Sequence, residues 1–228
     1  MLTLDRTAIR APTCLATYDY RVHTWEEFGG HCKRELRQTL VQLQSDPGLR
    51  AEVAHEQGVR CAYCESAIYH EGHIEHFRRK NRALGYPQLT FEWNNLFLAC
   101  GANDHCGHFK DRKFAPPYNP DHLIKPDEHD VDDYLYFHST GEVRVKTRLK
   151  GQALVMAKET VRVFGLDDRA LAGARANALK SYRKFKDQDL EELASWEEEE
   201  RNDYLRGEIE ATRWDPYAST IRHFLQTS

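Results

Sequence analysis

Apolar residues recur at helical spacing through Phe28, Cys32, Leu36, Leu40 and Leu43, one face of a 3.6-residue period. Thr24-Trp25-Glu26-Glu27 precedes them in the form of a capping box, with Thr24 as N-cap and Glu27 three positions on. The pattern predicts a helix over 25–44, broken at Pro47-Gly48, and a second short helix over 48–57 ending at Gly58. Residues 1–20 show little periodicity and read as an ordered or partly ordered arm. Residues 59–115 are dense in Cys, His and Asn and poor in long periodic runs. Several prolines between 116 and 141 mark loop. The alternation in Tyr134–His138 and Glu142–Lys146, around a turn at Ser139–Gly141, predicts a hairpin. From 151 the helical pattern returns: Leu154, Ala157, Val161 and Phe164 share a face, and Gly165 fits a C-terminal stop. Asp167 or Asp168 can cap a further helix over 168–186, and another runs over 187–212, stopping before Pro216.

The chain has 228 residues and a net charge of −4. That is enough to bury a core without staples. No apolar stretch of about 18 residues exists, so no transmembrane helix is expected. MLTLDRTAIR lacks an apolar leader core, so a secretory signal is not expected and the cytoplasm is the default. Mild acidity argues against a surface built wholly for nucleic acid. The average hides segregation, however. Residues 142–186 carry twelve Lys/Arg against four Asp/Glu, and 187–210 carry two against eleven. Separate charged faces fit separate partners, although such runs are also ordinary solvated helix faces.

Six Cys and twelve His make the chain rich in metal ligands. Cys61-Ala-Tyr-Cys64 lets two thiolates turn toward one ion, and Cys100 with Cys106 would complete a tetrahedral zinc site. Gly101 and Gly107 make the longer second loop feasible. His105 is an alternative ligand. Cys14 and Cys32 read as free or core cysteines.

Between and after the cysteine pairs lie His73-Ile-Glu75-His76-Phe-Arg78-Arg79-Lys80, Trp93-Asn94-Asn95-Leu96, and His108 with Lys110, Asp111 and Lys113. Phosphodiester hydrolysis uses these types. Neutral imidazole takes a proton from water near pH 7. A divalent cation offsets charge on the phosphate and the leaving oxygen. An Asn amide can fix the base by orienting its loop, and Lys/Arg hold phosphates without reading sequence.

The order CxxC, Ile-Glu-His, Trp-Asn-Asn-Leu, Cys…Cys-Gly-His-x-Lys resembles the HNH endonucleases of the ββα-metal type. The strings Cys-Ala-Tyr-Cys-Glu65, His-Ile-Glu-His-Phe-Arg-Arg-Lys80 and Asn-Asp-His-Cys-Gly107, with Trp25, Phe28 and Lys33 ahead of them, look closer to the PtuB-like nucleases of bacterial Septu and retron anti-phage systems. The resemblance covers roughly 24–115. It implies an α+β fold with a ββα-metal core and structural zinc knuckles, flanked by N- and C-terminal helices. The divisions are 1–58, an arm and helices; 59–115, the core; and 116–228, loop, hairpin and helices.

Carried over by position, the resemblance implies His76 as general base and Glu75 and His108 as ligands of a catalytic Mg2+ or Mn2+. Asn95 is the middle Asn, with Asn94 the alternative. Arg78, Arg79, Lys80, Lys110 and Lys113 are phosphate contacts, with Arg82 beside them. Many HNH enzymes have Asp where Glu75 stands, and Gly107 stands where Asn is common, leaving His108 against Asp111 open. Neighbouring strand residues face opposite ways, so Glu75 and His76 share a site only if the strand ends or bends there; His73, on the side of Glu75, is an extra candidate ligand. Trp93 reads as core. DNA is the favoured substrate and RNA, including tRNA, the alternative. The implied partners are a PtuA-like ATPase and, in some systems, a retron reverse transcriptase with its RNA–DNA product; no membrane is involved. The rival readings are a zinc-ribbon binding module without chemistry and, more weakly, a zinc hydrolase of a small molecule.

Overall fold

A computed structural model describes residues 1–46, 58–68, 72–81, 85–180, 182, 192–193 and 195–226. Helix α1, Gly30–Leu43, buries Cys32, Leu36, Leu40, Val41 and Leu43. It starts at Gly30 and not at 25. The capping box does form: the Thr24 N–H donates to Glu27 Oε2 at 2.7 Å and the Glu27 N–H to Thr24 Oγ1 at 3.3 Å. It closes only a turn, because Gly29 is extended and Gly30 sits at φ 59°, a left-handed position without penalty for glycine. The short helix expected over 48–57 lies outside the described residues.

Strand β1, His73–His76, pairs antiparallel with β2, Leu96–Ala99, with Glu75 opposite Phe97 and His76 opposite Leu96. Every residue of β2 is buried. Helix α2, Cys106–Asp111, follows after the loop 100–105. The buried Gln44, at the end of α1, ties this unit to the loop ahead of it. Its Nε2 donates to Arg60 O and Leu98 O, and its Oε1 accepts from the Leu98 N–H.

The second hairpin lies where alternation predicts it, β3 over Leu135–Phe137 and β4 over Val143–Val145. Helix α3, Gly151–Phe164, ends at Gly165, whose φ of 57° makes the expected left-handed cap. Asp168 caps α4, Arg169–Ala178, by accepting from the Leu171 N–H at 2.9 Å. The helix predicted over 168–186 is therefore seen over 169–178, with 183–186 outside the described residues. Helix α5, Glu198–Ala211, buries no residue, in keeping with its acidic sequence. An unanticipated helix α6, Ala218–Leu225, packs Ile221 and Leu225 on Leu179; eight residues are too few for periodicity to declare it.

One expectation is corrected. Cys14 and Cys32 are joined in a disulfide, with Cα atoms 5.8 Å apart, and are not free. The first residues form an ordered arm. Met1, Leu2 and Leu4 are buried, and the N–H groups of Leu2 and Leu4 donate to Ala62 O and Pro126 O at 3.0 and 2.7 Å. Such extended docking leaves no periodic signature. One cluster of buried side chains runs from Met1 to Leu171, crossing positions 58 and 115. The architecture is mixed, helices around two small sheets, and no helix among the described residues is long and apolar enough to cross a membrane.

Candidate functional site

Cys61 and Cys64 lie in the turn closed by the Arg60–Ala67 bridge, Cys100 directly follows β2, and Cys106 opens α2 at φ 60°. Their sulfurs lie within 4.8 Å of one another, with Cys61–Cys106 at 3.7 Å and Cys64–Cys100 at 3.8 Å. Tetrahedral zinc with sulfur at about 2.3 Å requires sulfur separations of about 3.8 Å. The quartet could therefore hold a structural metal such as zinc, and it is closed to substrate. His105 is not needed as a ligand. Its Nδ1 lies 2.8 Å from Asp104 Oδ1 and its ring lies beside the sulfurs of Cys64 and Cys100.

His76 ends β1. Its Nε2 lies 3.0 Å from the Thr90 carbonyl, and its ring stands nearly perpendicular to that of Trp25, centroids 4.4 Å apart. A neutral ring that donates Nε2–H to that carbonyl keeps its lone pair on Nδ1. Burial, and next the Lys80 ammonium, push His76 down to about 4, so the neutral form prevails at pH 7.

Asn95 sets the loop between the strands. It is buried; its Oδ1 accepts from the Arg78 N–H at 2.7 Å, and its Nδ2 donates to Arg78 O and Leu89 O, both at 3.0 Å. One side chain thus staples both ends of the loop whose next residue, Thr90, meets His76. Asn94 is exposed, so the loop-fixing contacts are those of Asn95.

Glu75 faces the helix. Its Oε2 lies 3.2 Å from His73 Nε2, and the Lys110 ammonium stands 2.8 Å from Oε1. Burial would raise this carboxyl, but Lys110 and then His73 outweigh it and hold it at about 2. The His73 ring stacks on that of the exposed His108 at 4.1 Å. Asp111 is occupied elsewhere, 2.7 Å from both Arg79 Nε and Lys110 Nζ. His108, through His73, therefore joins Glu75, whereas Asp111 faces cations.

Glu75 and His76 fall on opposite faces, as a regular strand dictates. The contacts of one are His73 and Lys110, those of the other Trp25 and Thr90. Lys110 needs correction. Its side chain is fully covered among Glu75, Asp111 and the His76 carbonyl, the last at 3.1 Å. It is an internal counter-ion and does not reach a phosphate. Trp93 is partly buried on the core beneath the guanidinium of Arg6, as a core residue should be.

A cleft of about 650 Å³ opens beside Trp25 and Thr90. Lys80, Arg79, Arg112 and Lys113 line it, against Glu26 and Asp111. Arg78 pairs with Asp121 and Arg79 with Asp111, which mutes both as phosphate contacts. Lys80 and Lys113 have no carboxylate partner among the described residues. Arg82 lies outside them. The sequence does not single out the Thr90 carbonyl or Gln44; backbone groups carry no sequence signal, though a Gln closing an apolar stripe is a recognisable one.

Comparison with family models gives no match for the chain, and comparison with curated proteins gives none either.

Proposed function

We propose that the chain is a metal-dependent HNH-type endonuclease, with β1, β2 and α2 as its ββα-metal core and the cysteine quartet as its structural zinc site. The observation that carries this reading is the Asn95 staple, which presents the Thr90 carbonyl to His76 beside a cation-lined cleft. A base needs this: a fixed neutral tautomer, with its lone pair on a defined atom. His76 Nδ1 takes the proton of the attacking water. Lys80 and Lys113 hold the phosphates either side of the scissile bond.

Glu75 Oε2, His73 and His108 offer one carboxylate oxygen and two imidazoles, donor types that ligate divalent cations. Their ligand atoms are not drawn together within 4.8 Å as the quartet's are, so a bound cation would have to draw them in. Gly107 leaves the oxygen clear of a neighbouring side chain. When bound, Mg2+ or Mn2+ supplies charge to the phosphate and the leaving oxygen. Lys110 holds Glu75 ionised in the meantime, and His73 orients Oε2 by their shared contact.

One observation favours a second reading. Glu75 already has an ammonium partner, and it points away from His76. A zinc-stabilised nucleic-acid or protein-binding module without chemistry is built that way. Incubation of the pure chain with DNA and with RNA, in magnesium or manganese, separates the two. The nuclease reading expects cation-dependent cleavage, DNA foremost and RNA as the alternative substrate; no cleavage of either supports the binding module. On the sequence resemblance, we also propose that it acts as the effector of an anti-phage complex with an ATPase partner. Adding that ATPase should then change the cleavage rate.

A further inference from the structure

Four large apolar side chains are exposed among the described residues: Tyr20, Val22, Phe114 and Val155. Singly, such residues need no explanation. Two of them stand at or next to the cleft: Tyr20 lines it, and Phe114 follows the lining Lys113 in sequence and keeps its ring beside that ammonium. Phe114 is 85% exposed, and the Lys113 ammonium lies 5.4 Å from its ring. Lys80 lies 5.9 Å from the Trp25 ring deeper in the cleft.

Ammonium groups beside an open aromatic ring, here Lys80 and Lys113 with Phe114, are the chemistry that holds an unpaired strand: cations follow the phosphates and the ring takes a base. A regular duplex would offer this rim only phosphates, because its bases remain stacked on one another. Phe114 would then gain nothing. Resting on the nucleic-acid reading above, we propose that the cleft takes a strand carrying an unpaired base, and that Phe114 stacks on that base.

The test is binding without cleavage. A fluorescein-labelled single-stranded oligodeoxynucleotide and the same sequence as a blunt duplex are titrated with the full zinc-loaded chain, followed by anisotropy. The buffer is free of magnesium and manganese and holds no chelator, which would strip the structural zinc. The single strand should bind several-fold more tightly. Phe114→Ala should weaken its binding roughly ten-fold while leaving the duplex nearly unaffected. Lys113→Ala should weaken both and lower the salt dependence of each. Phe114→Trp should preserve affinity and show quenched Trp fluorescence on binding the single strand. Because Phe114 is so exposed, the variants should keep the parent unfolding midpoint, which is checked alongside. Unchanged single-strand affinity in Phe114→Ala, or an equal loss on both forms, overturns the stacking role and leaves the nuclease reading intact. Failure to bind either form overturns both. Binding with no preference for the single strand overturns the unpaired-base proposal alone.

Discussion

A Cβ placed on Gly107 would lie 2.5 Å from Glu75 Oε2 and 3.0 Å from His73 Nε2. Glu75 and Gly107, the two positions at which the sequence differs from the HNH pattern it resembles, therefore lie against each other. The longer carboxylate arm reaches the place where a side chain at 107 would begin. Each departure makes the other tolerable.

Gly107→Ala should displace the Glu75 carboxylate into Lys110 and His73. Crowding a packed site costs about 1–3 kcal/mol, read by urea unfolding, and cleavage should fall with it. Shortening the arm in Glu75→Asp should restore part of the stability in the double variant, because contacting sites are not additive. Strictly additive losses would show that the two residues do not compensate.

Replacement of Cys61, Cys64, Cys100 or Cys106 by Ser should remove bound metal and lower the unfolding temperature sharply, because a structural zinc contributes directly to folding. Metal analysis should give about one zinc per chain in the parent protein. The Cys14→Ser protein should retain it. Full zinc content in all four quartet variants would contradict the site.

The Cys14–Cys32 disulfide closes a loop with a sequence separation of 18. Loop-closure entropy of that length is worth about 3 kcal/mol. The loop carries Tyr18, Trp25 and Phe28, the aromatic cluster against which His76 rests. Reductant should lower parent stability by an amount of that order and leave Cys14→Ser unchanged. Equal unfolding midpoints with and without reductant would deny the bond a stabilising role.

Asp132, just ahead of β3, anchors α6 through Arg222 and His223. Arg222 Nη2 donates to it at 2.7 Å and His223 Nε2 lies 3.0 Å away, while His223 Nδ1 accepts from the Phe137 N–H. Burial would raise the Asp132 carboxyl, but these two partners outweigh it and hold it below its ordinary 3.8. A depressed carboxylate contributes stability that is present above its unfolded value and lost as pH falls through the folded one. Asp132→Asn should therefore be less stable than the parent at pH 7, and the gap should close as urea unfolding is taken below about pH 4. A gap independent of pH would mean that the pair is worth nothing as an ion pair.

The cysteine quartet is legible in the sequence because two short spacings constrain four thiolates. Asn95 is legible as a loop-fixing amide. The strand alternation that separates Glu75 from His76 is also legible, since it follows from period two alone. Other features depend on tertiary neighbours. Nothing local distinguishes a Lys110 that meets phosphate from one that neutralises a buried Glu75. Cys14 and Cys32 come together across a loop whose Tyr18 and Phe28 rings pack on each other, a tertiary contact that no local pattern announces. The burial of Met1, Leu2 and Leu4 rests on backbone hydrogen bonds to Ala62 and Pro126, which no side-chain pattern announces. Trp25 is readable as a helix-start residue, but its place against His76 is not.

The central claim is that His76, held by Thr90 and Asn95, is the base that activates water. The most direct measurement is cleavage of DNA and RNA by pure His76→Ala in magnesium or manganese, beside the parent chain, with zinc content and circular dichroism recorded on both. The account predicts that cleavage disappears while zinc and fold are retained. Undiminished cleavage by a correctly folded His76→Ala protein would contradict it.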